Sequence, residues 1–339
     1  MGASASASAM DTGSGVHAFT LVALLLIGPL LACAWLSVRQ TALVSCAALA
    51  LAVAASLGHG VPPGADTALR LGGLLLGCAL TVYAAHRRTS LESALDSARE
   101  VARITQRVIM RPISRDLSGT HVCTRYVSAA PESTLGGDLY DVAMTPFGLR
   151  VLVGDVRGHD LEALRLTAAT LTAFREVAYT APDLPAVVTG LDKRLAPELG
   201  PEDFVTALLA EFAPGEVRLV NCGHPAPVRS GRRAELLEPA VPSPPLGLHP
   251  DPPQYRVRLQ PGDRLLLYTD GLTEARAPDG TPFPLLPEVT RALREPLPDD
   301  ALHRLHTSVL AHTTGGAPYD DLTLVLCQAT EVTSPVPVS

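Results

Sequence analysis

Apolar residues are distributed very unevenly along the chain. Phe19 to Val38, Thr41 to Leu57 and Ala68 to Ala85 are almost free of charge, and each is about long enough to cross a bilayer. They predict three membrane helices. From Ser90 to Met110 the apolar positions thin out to Leu91, Leu95, Ala98, Val101, Thr105 and Val108, set among charged residues, which is the spacing of an amphipathic helix. Arg111-Pro112 ends it. Further on, short apolar runs read as strands at His121 to Ser128, Leu139 to Met144, Leu149 to Val156, Phe204 to Phe212, Glu216 to Asn221, Tyr255 to Leu259, Arg264 to Tyr268 and Leu322 to Cys327. Helical patterns interrupt them in pairs, Leu161 to Tyr179 with Leu184 to Leu195, and Pro287 to Leu293 with Ala301 to Leu310.

Paired helices separated by several strands do not fit regular strand-helix alternation, so a doubly wound parallel sheet is disfavoured. A sheet-on-sheet core flanked by helix pairs fits the order better. The chain divides into an N-terminal tail (1–17), a membrane region (18–88), a linker helix (89–112), a C-terminal body (113–330) and a C-terminal tail (331–339). The linker helix also suits a parallel homodimer.

Arginine placement sets the orientation, because basic residues flanking membrane segments stay on the cytoplasmic side. His86, Arg87 and Arg88 directly follow the third span, whereas Met1 to Ser14 contains no Lys or Arg. That tail lacks the basic start of a cleavable signal peptide. The expectation is a multi-pass protein of the cell membrane with its C-terminal body in the cytoplasm. The spans hold no acid or lysine that would mark a transport pathway, so anchoring or sensing is preferred.

Of 339 residues 47% are hydrophobic and 18% charged, and the formal net charge is -7. That balance offers nucleic acid no general attraction, and no basic run carries interleaved aromatics. Cys33, Cys46 and Cys78 lie in the apolar spans, while Cys123, Cys222 and Cys327 are isolated from one another, the pattern of reduced structural thiols.

Four acidic clusters stand at or beside the ends of strand-like runs: Gly136-Gly137-Asp138-Leu139-Tyr140-Asp141, Gly154-Asp155-Val156-Arg157-Gly158, Thr269-Asp270-Gly271 and Asp320-Asp321-Leu322-Thr323. Acids placed where strands give way to turns can converge in space, and converging carboxylates repel unless cations sit between them. Asp138, Asp155, Asp270 and Asp320 offer hard oxygens without Cys or spaced His, so magnesium or manganese is favoured over zinc. A pair of such ions activates a water and neutralises phosphoryl oxygens during in-line displacement, and phosphoester hydrolysis follows as the natural use. Arg157 is the nearest basic side chain, available either to phosphate or to solvent.

These clusters, together with Asn221-Cys222-Gly223-His224-Pro225, Pro245-Leu246-Gly247 and Pro261-Gly262-Asp263 through Glu274, resemble the SpoIIE-type branch of the PPM metal-dependent serine/threonine phosphatases over roughly Val108 to Ala329. The resemblance implies an α/β/β/α sandwich holding two Mn2+ or Mg2+ ions. It makes Asp155 the bridge between them, adds the Val156 backbone carbonyl, places Asp138 in or beside the ligand set, and completes the site with Asp270 and Asp320. Asp320 is preferred to Asp321, which reads as a cap or an outer partner. After Gly158 the sequence departs from the family pattern with His159 and Asp160, read as a helix start with Asp160 as N-cap. His224 reads as a residue tying a turn.

The function implied is a membrane-anchored phosphatase that removes phosphate from serine or threonine of a cytosolic regulatory protein, such as an anti-sigma-factor antagonist, by means of a metal-bound hydroxide. The competing reading is a catalytically silent signalling scaffold of the same fold.

Overall fold

The computed structural model describes residues 24–58, 64–128, 136–158, 161–313 and 320–330. The chain forms two compact units, Met1–Ala98 and Arg99–Ser339.

In the first unit the described helices are α1 (Leu24–Trp35), α2 (Val38–Gly58) and the greater part of α3 (Ala65–Ile109), whose last residues belong to the second unit. Two of them carry stretches long and apolar enough to span a membrane, Val38–Leu57 and Thr67–Ala98, while α1 is shorter and the start of its apolar run lies outside the described residues. The helices meet in a small apolar cluster of Ala52, Leu74 and Cys78 against Leu25, Leu26, Leu49 and Leu71. Arg88 from α3 donates to the Leu36 carbonyl at 2.8 Å and to the Ala34 carbonyl, satisfying oxygens that the end of α1 leaves without helical partners. The expected linker helix is not a separate element. It continues the third apolar stretch as one helix of 45 residues, because no Gly or Pro falls between Ala85 and Ser90 to break the backbone.

In the second unit the strands are β1 (Ser114–Leu117), β2 (Thr120–Val127), β3 (Asp138–Thr145) and β4 (Gly148–Val156). The helices α4 (Leu161–Thr180) and α5 (Leu184–Leu195) follow, then β5 (Val205–Ala213), β6 (Glu216–Cys222), β7 (Val228–Ser230), β8 (Ala234–Leu236), β9 (Tyr255–Arg258) and β10 (Arg264–Tyr268). A short α6 (Gly271–Glu274), then α7 (Leu285–Ala292), α8 (Pro298–His312) and β11 (Leu322–Ala329) complete the chain. The strands form two antiparallel sheets, ordered β1-β2-β11-β10-β7-β8 and β3-β4-β5-β6-β9.

Strand periodicity sorts side chains between layers. Val122, Leu265, Leu267, Val325 and Cys327 join the core shared with the second sheet, α4 and α5, whereas their neighbours Cys123, Leu266, Tyr268, Leu324 and Leu326 join the core under α7 and α8. Strands buried on both faces read as continuous apolar runs. The result is the expected layering of helix pair, sheet, sheet and helix pair. The sequence pattern did not register β1, β7, β8 or α6, which have three or four residues each and no room for periodicity.

One buried ion pair ties α4 to its sheet. Arg150 and Glu211 are cross-strand neighbours on β4 and β5, both fully buried, with Nη2 2.6 Å from Oε2. Arg150 Nη1 also donates to the Ala178 and Ala181 carbonyls, each at 2.7 Å, so the C-terminal end of α4 is held down.

Candidate metal centre

The four expected acids come from both sheets and meet at one end of the sandwich. Asp138 opens β3 directly opposite Asp155 near the end of β4. Like charges facing each other across a strand pair are unfavourable on their own. Asp270 follows β10, and Asp320 precedes β11, two strands that are antiparallel neighbours.

Contacts between the sheets fix this convergence. Thr269 Oγ1 donates to Asp138 Oδ2 at 2.7 Å and accepts from the Thr323 backbone N–H at 2.9 Å. His224 bridges a second point, with Nε2 3.0 Å from the Tyr268 carbonyl and Nδ1 2.9 Å from Thr206 Oγ1. A carbonyl only accepts, so Nε2 carries the proton and Nδ1 accepts from the hydroxyl. Burial pushes the His224 pKa down to about 4, so the ring is neutral. Asn221 closes its turn from both sides, donating to the His224 carbonyl at 2.8 Å and accepting from its N–H at 2.9 Å. His224 thus sits in the turn its sequence context suggested, and its ring in addition ties the two sheets together.

Glycines let the acidic loops touch. A Cβ on Gly137 would stand 2.2 Å from the Val156 carbonyl oxygen and 2.6 Å from Asp155 Oδ1, and one on Gly271 would stand 2.1 Å from the Asp321 carbonyl oxygen. The Val156 carbonyl thus faces the glycine cradle beside Asp155, while its N–H donates to the Gly137 carbonyl at 3.0 Å.

Electrostatics records the crowding. Burial, then Asp155 and Asp321, hold the Asp138 carboxyl well above the usual range, against the lowering effect of Thr323 and Thr269. The Asp155 carboxyl is raised to about 8 by burial and then by Asp270, Asp320, Asp321 and Glu274. Asp270 is raised to about 6 by burial, Asp320 and Glu274. A cation relieves all of these repulsions at once. The buried Thr323 hydroxyl lies beside Asp138 and acts on its carboxyl. Converging hard oxygens and a glycine cradle fit magnesium or manganese. The acids are not clenched, since no three of their oxygens lie within 4.8 Å of one another.

Asp321 is buried, accepts from Tyr126 Oη at 3.0 Å, and its N–H donates to Asp320 Oδ1 at 2.7 Å. Arg157 leaves the site entrance to bond Glu202, donating to its carbonyl at 2.7 Å and approaching its carboxylate at 3.3 Å. His159 and Asp160 lie outside the described residues. Thr269, Thr323, Tyr126 and Glu274 were given no role at the site; Thr269, Thr323 and Glu274 stand within the motifs already singled out, whereas Tyr126 is distant in sequence and only the sheet brings it near.

Two antiparallel sheets between helix pairs, with acids from both sheets gathered at one end, define the fold of the PP2C-type (PPM) phosphatase domains. The PP2C domain of SiaA from Pseudomonas aeruginosa superposes with a TM-score of 0.59 at 20% identity, over 73% of this chain and 99% of that one. The RsbU and RsbW domains of Rv1364c from Mycobacterium tuberculosis give 0.54 at 24% identity, over 67% of this chain and 64% of that one. The phosphatase domain of the cell fate determinant SpoIIE from Bacillus subtilis, with a fragment of its regulatory domain, gives 0.51 at 15% identity, over 63% and 64%. This chain thus spans about 64% of the length of two of these relatives. The profile of the family described as Stage II sporulation protein E (SpoIIE) matches residues 145–330, more than half of the chain, and the protein belongs to that family.

Proposed function

We propose that this protein is a membrane-anchored, metal-dependent phosphatase that removes phosphate from phosphoserine or phosphothreonine of a cytosolic regulatory protein, an anti-sigma-factor antagonist being the type of substrate the family resemblance suggests. The observation that carries the reading is the convergence of Asp138, Asp155, Asp270 and Asp320 from two sheets beside the Val156 carbonyl. In this reading those five residues hold two Mn2+ or Mg2+ ions. When bound, the ions supply an activated water and neutralise charge on the phosphoryl oxygens. Asp138 is held in place by Thr269, Asp155 by its strand pairing, and Asp270 and Asp320 by the apposed turns at the ends of β10 and β11.

The apolar helices serve as a multi-pass anchor in the cell membrane, and the basic residues after the third span put the catalytic domain, 113–330, on the cytoplasmic side. The linker part of α3 joins two copies as a parallel dimer in the same reading.

One experiment addresses catalysis and sidedness together. Inverted and right-side-out membrane vesicles containing the full chain are given manganese and a phosphopeptide. Release of phosphate is expected from inverted vesicles only. It should fall in Asp155→Asn and Asp270→Asn by more than the roughly tenfold to hundredfold that loss of an outer metal partner costs. Turnover confined to right-side-out vesicles defeats the topology, and a folded wild type without turnover in either leaves the scaffold reading in its place.

A further inference from the structure

We propose a second metal site, for zinc, formed by His121, Cys123 and Asp299 on the opposite face of the first sheet from the acidic centre. His121 and Cys123 are two residues apart on β2 and so share a face, the one packed under α8, while Asp299 stands in the first turn of α8. One ligand atom from each lies within 4.8 Å of the other two. Among the described residues this is the one such group of three His, Cys, Asp or Glu side chains.

The detail that points to an ion is the state of the imidazole. His121 Nδ1 is 2.9 Å from Asp116 Oδ1, and a carboxylate accepts, so Nδ1 carries a proton and, in the neutral ring, Nε2 presents its lone pair. That Nε2 is shut away from solvent with no hydrogen-bond partner among the described residues; Asp299 Oδ2 is 3.8 Å away, beyond hydrogen-bonding reach. A carboxylate holding the far nitrogen of a histidine is the usual outer arrangement of a metal ligand. Asp299 is itself oriented, because Ser114 Oγ donates to its Oδ2 at 2.8 Å. His121 and Asp299 thus each have an outside partner, and Cys123 is fully buried.

The donor set selects the ion. Imidazole, thiolate and one carboxylate suit a borderline-soft, tetrahedral cation, in contrast to the all-oxygen acidic centre. Zinc–ligand distances of about 2.0–2.3 Å set tetrahedral donor separations at roughly 3.3–3.8 Å, so the cluster needs to contract by about 1.5 Å at most. Cys123 gives up its thiol proton to solvent on binding, and a water completes the tetrahedron. Burial and then the Asp299 carboxylate push the Cys123 thiol up to about 12, against the opposing pull of Arg264 and Arg125, so the ion has to displace a firmly held proton. The ion would pin the middle of β2 to the start of α8. The proposal is independent of the phosphatase reading.

The test uses the purified full-length chain and cobalt as the probe. Cobalt alone is expected to give a thiolate-to-metal charge-transfer band with tetrahedral d–d absorption, both abolished by added zinc, in wild type and equally in Asp155→Asn. Cys123→Ser removes the charge-transfer band, and Asp116→Asn weakens cobalt binding by roughly tenfold to a hundredfold. Absence of the band in folded wild-type protein, or its survival at full intensity in Cys123→Ser, overturns the site. Should Cys123→Ser fail to fold, His121→Ala decides: unchanged cobalt affinity overturns the proposal, and a loss of affinity supports it.

Discussion

Thr269 links two strands and one acid through a single hydroxyl, which donates to Asp138 and accepts from the Thr323 N–H. Removing that hydroxyl while keeping the shape releases the Asp138 carboxylate from its fixed rotamer. Thr269→Val is therefore expected to weaken manganese binding by roughly tenfold to a hundredfold, read by calorimetry, while Thr269→Ser restores it. Equal affinities in all three proteins would show that the hydroxyl does not position the acid. The acids themselves were legible because each is flanked by glycine or placed at the edge of an apolar run. Thr269 and Thr323 were not, since an isolated threonine beside an acid carries no sign of its direction until strand pairing turns it inward. His121 and Cys123 were passed over for the same reason: their partner Asp299 is far away in sequence, and cysteine spacing alone gave no hint of it.

At the scale of elements, paired helices between runs of strands sufficed to predict the layering, because each strand was long enough to show its burial. The exceptions are the short strands β1, β7 and β8, the first and last of them at the edges of their sheet. The long α3 was divided in two on paper by its change from apolar to amphipathic composition, yet backbone continuity depends on helix breakers and none intervenes. The Arg150–Glu211 pair was likewise invisible, since a charged residue inside a strand reads as a solvent-facing position. Arg150→Met leaves Glu211 buried with only Arg218, 2.7 Å from its Oε1, as a charged partner. A loss of about 3–5 kcal/mol in unfolding free energy is expected, with Arg150→Met/Glu211→Met recovering much of it. Chemical denaturation measures both. A single variant as stable as wild type would mean that the pair does not anchor α4.

For the whole molecule, the raised acids link stability to pH. In the ion-free chain Asp155 titrates near pH 8 when folded, against an ordinary value of 3.8, so the folded state holds a proton that the unfolded chain has lost. That contribution is complete below the ordinary value and disappears as pH rises through about 8. His224, about 4 when folded against 6.5 ordinarily, acts in the opposite direction, but only below about 6.5. Between pH 6.5 and 8 the melting temperature of the ion-free protein is thus expected to fall as pH rises, Asp155→Asn should flatten the decline, and manganese should offset it by replacing the proton. A melting temperature that rises across that window without metal would contradict the crowding of acids.

The sequence by itself determined the family, the layered class of fold, the apolar N-terminal region and the positions of the acidic clusters, because these depend on local periodicity and on short motifs that survive in one dimension. Tertiary structure decided which groups face one another: Asp138 across from Asp155, Thr269 on Asp138, His224 between the sheets, and His121 with Cys123 under Asp299. Such pairings arise from sheet register and from helices laid over a sheet, which set distances between residues far apart in the chain.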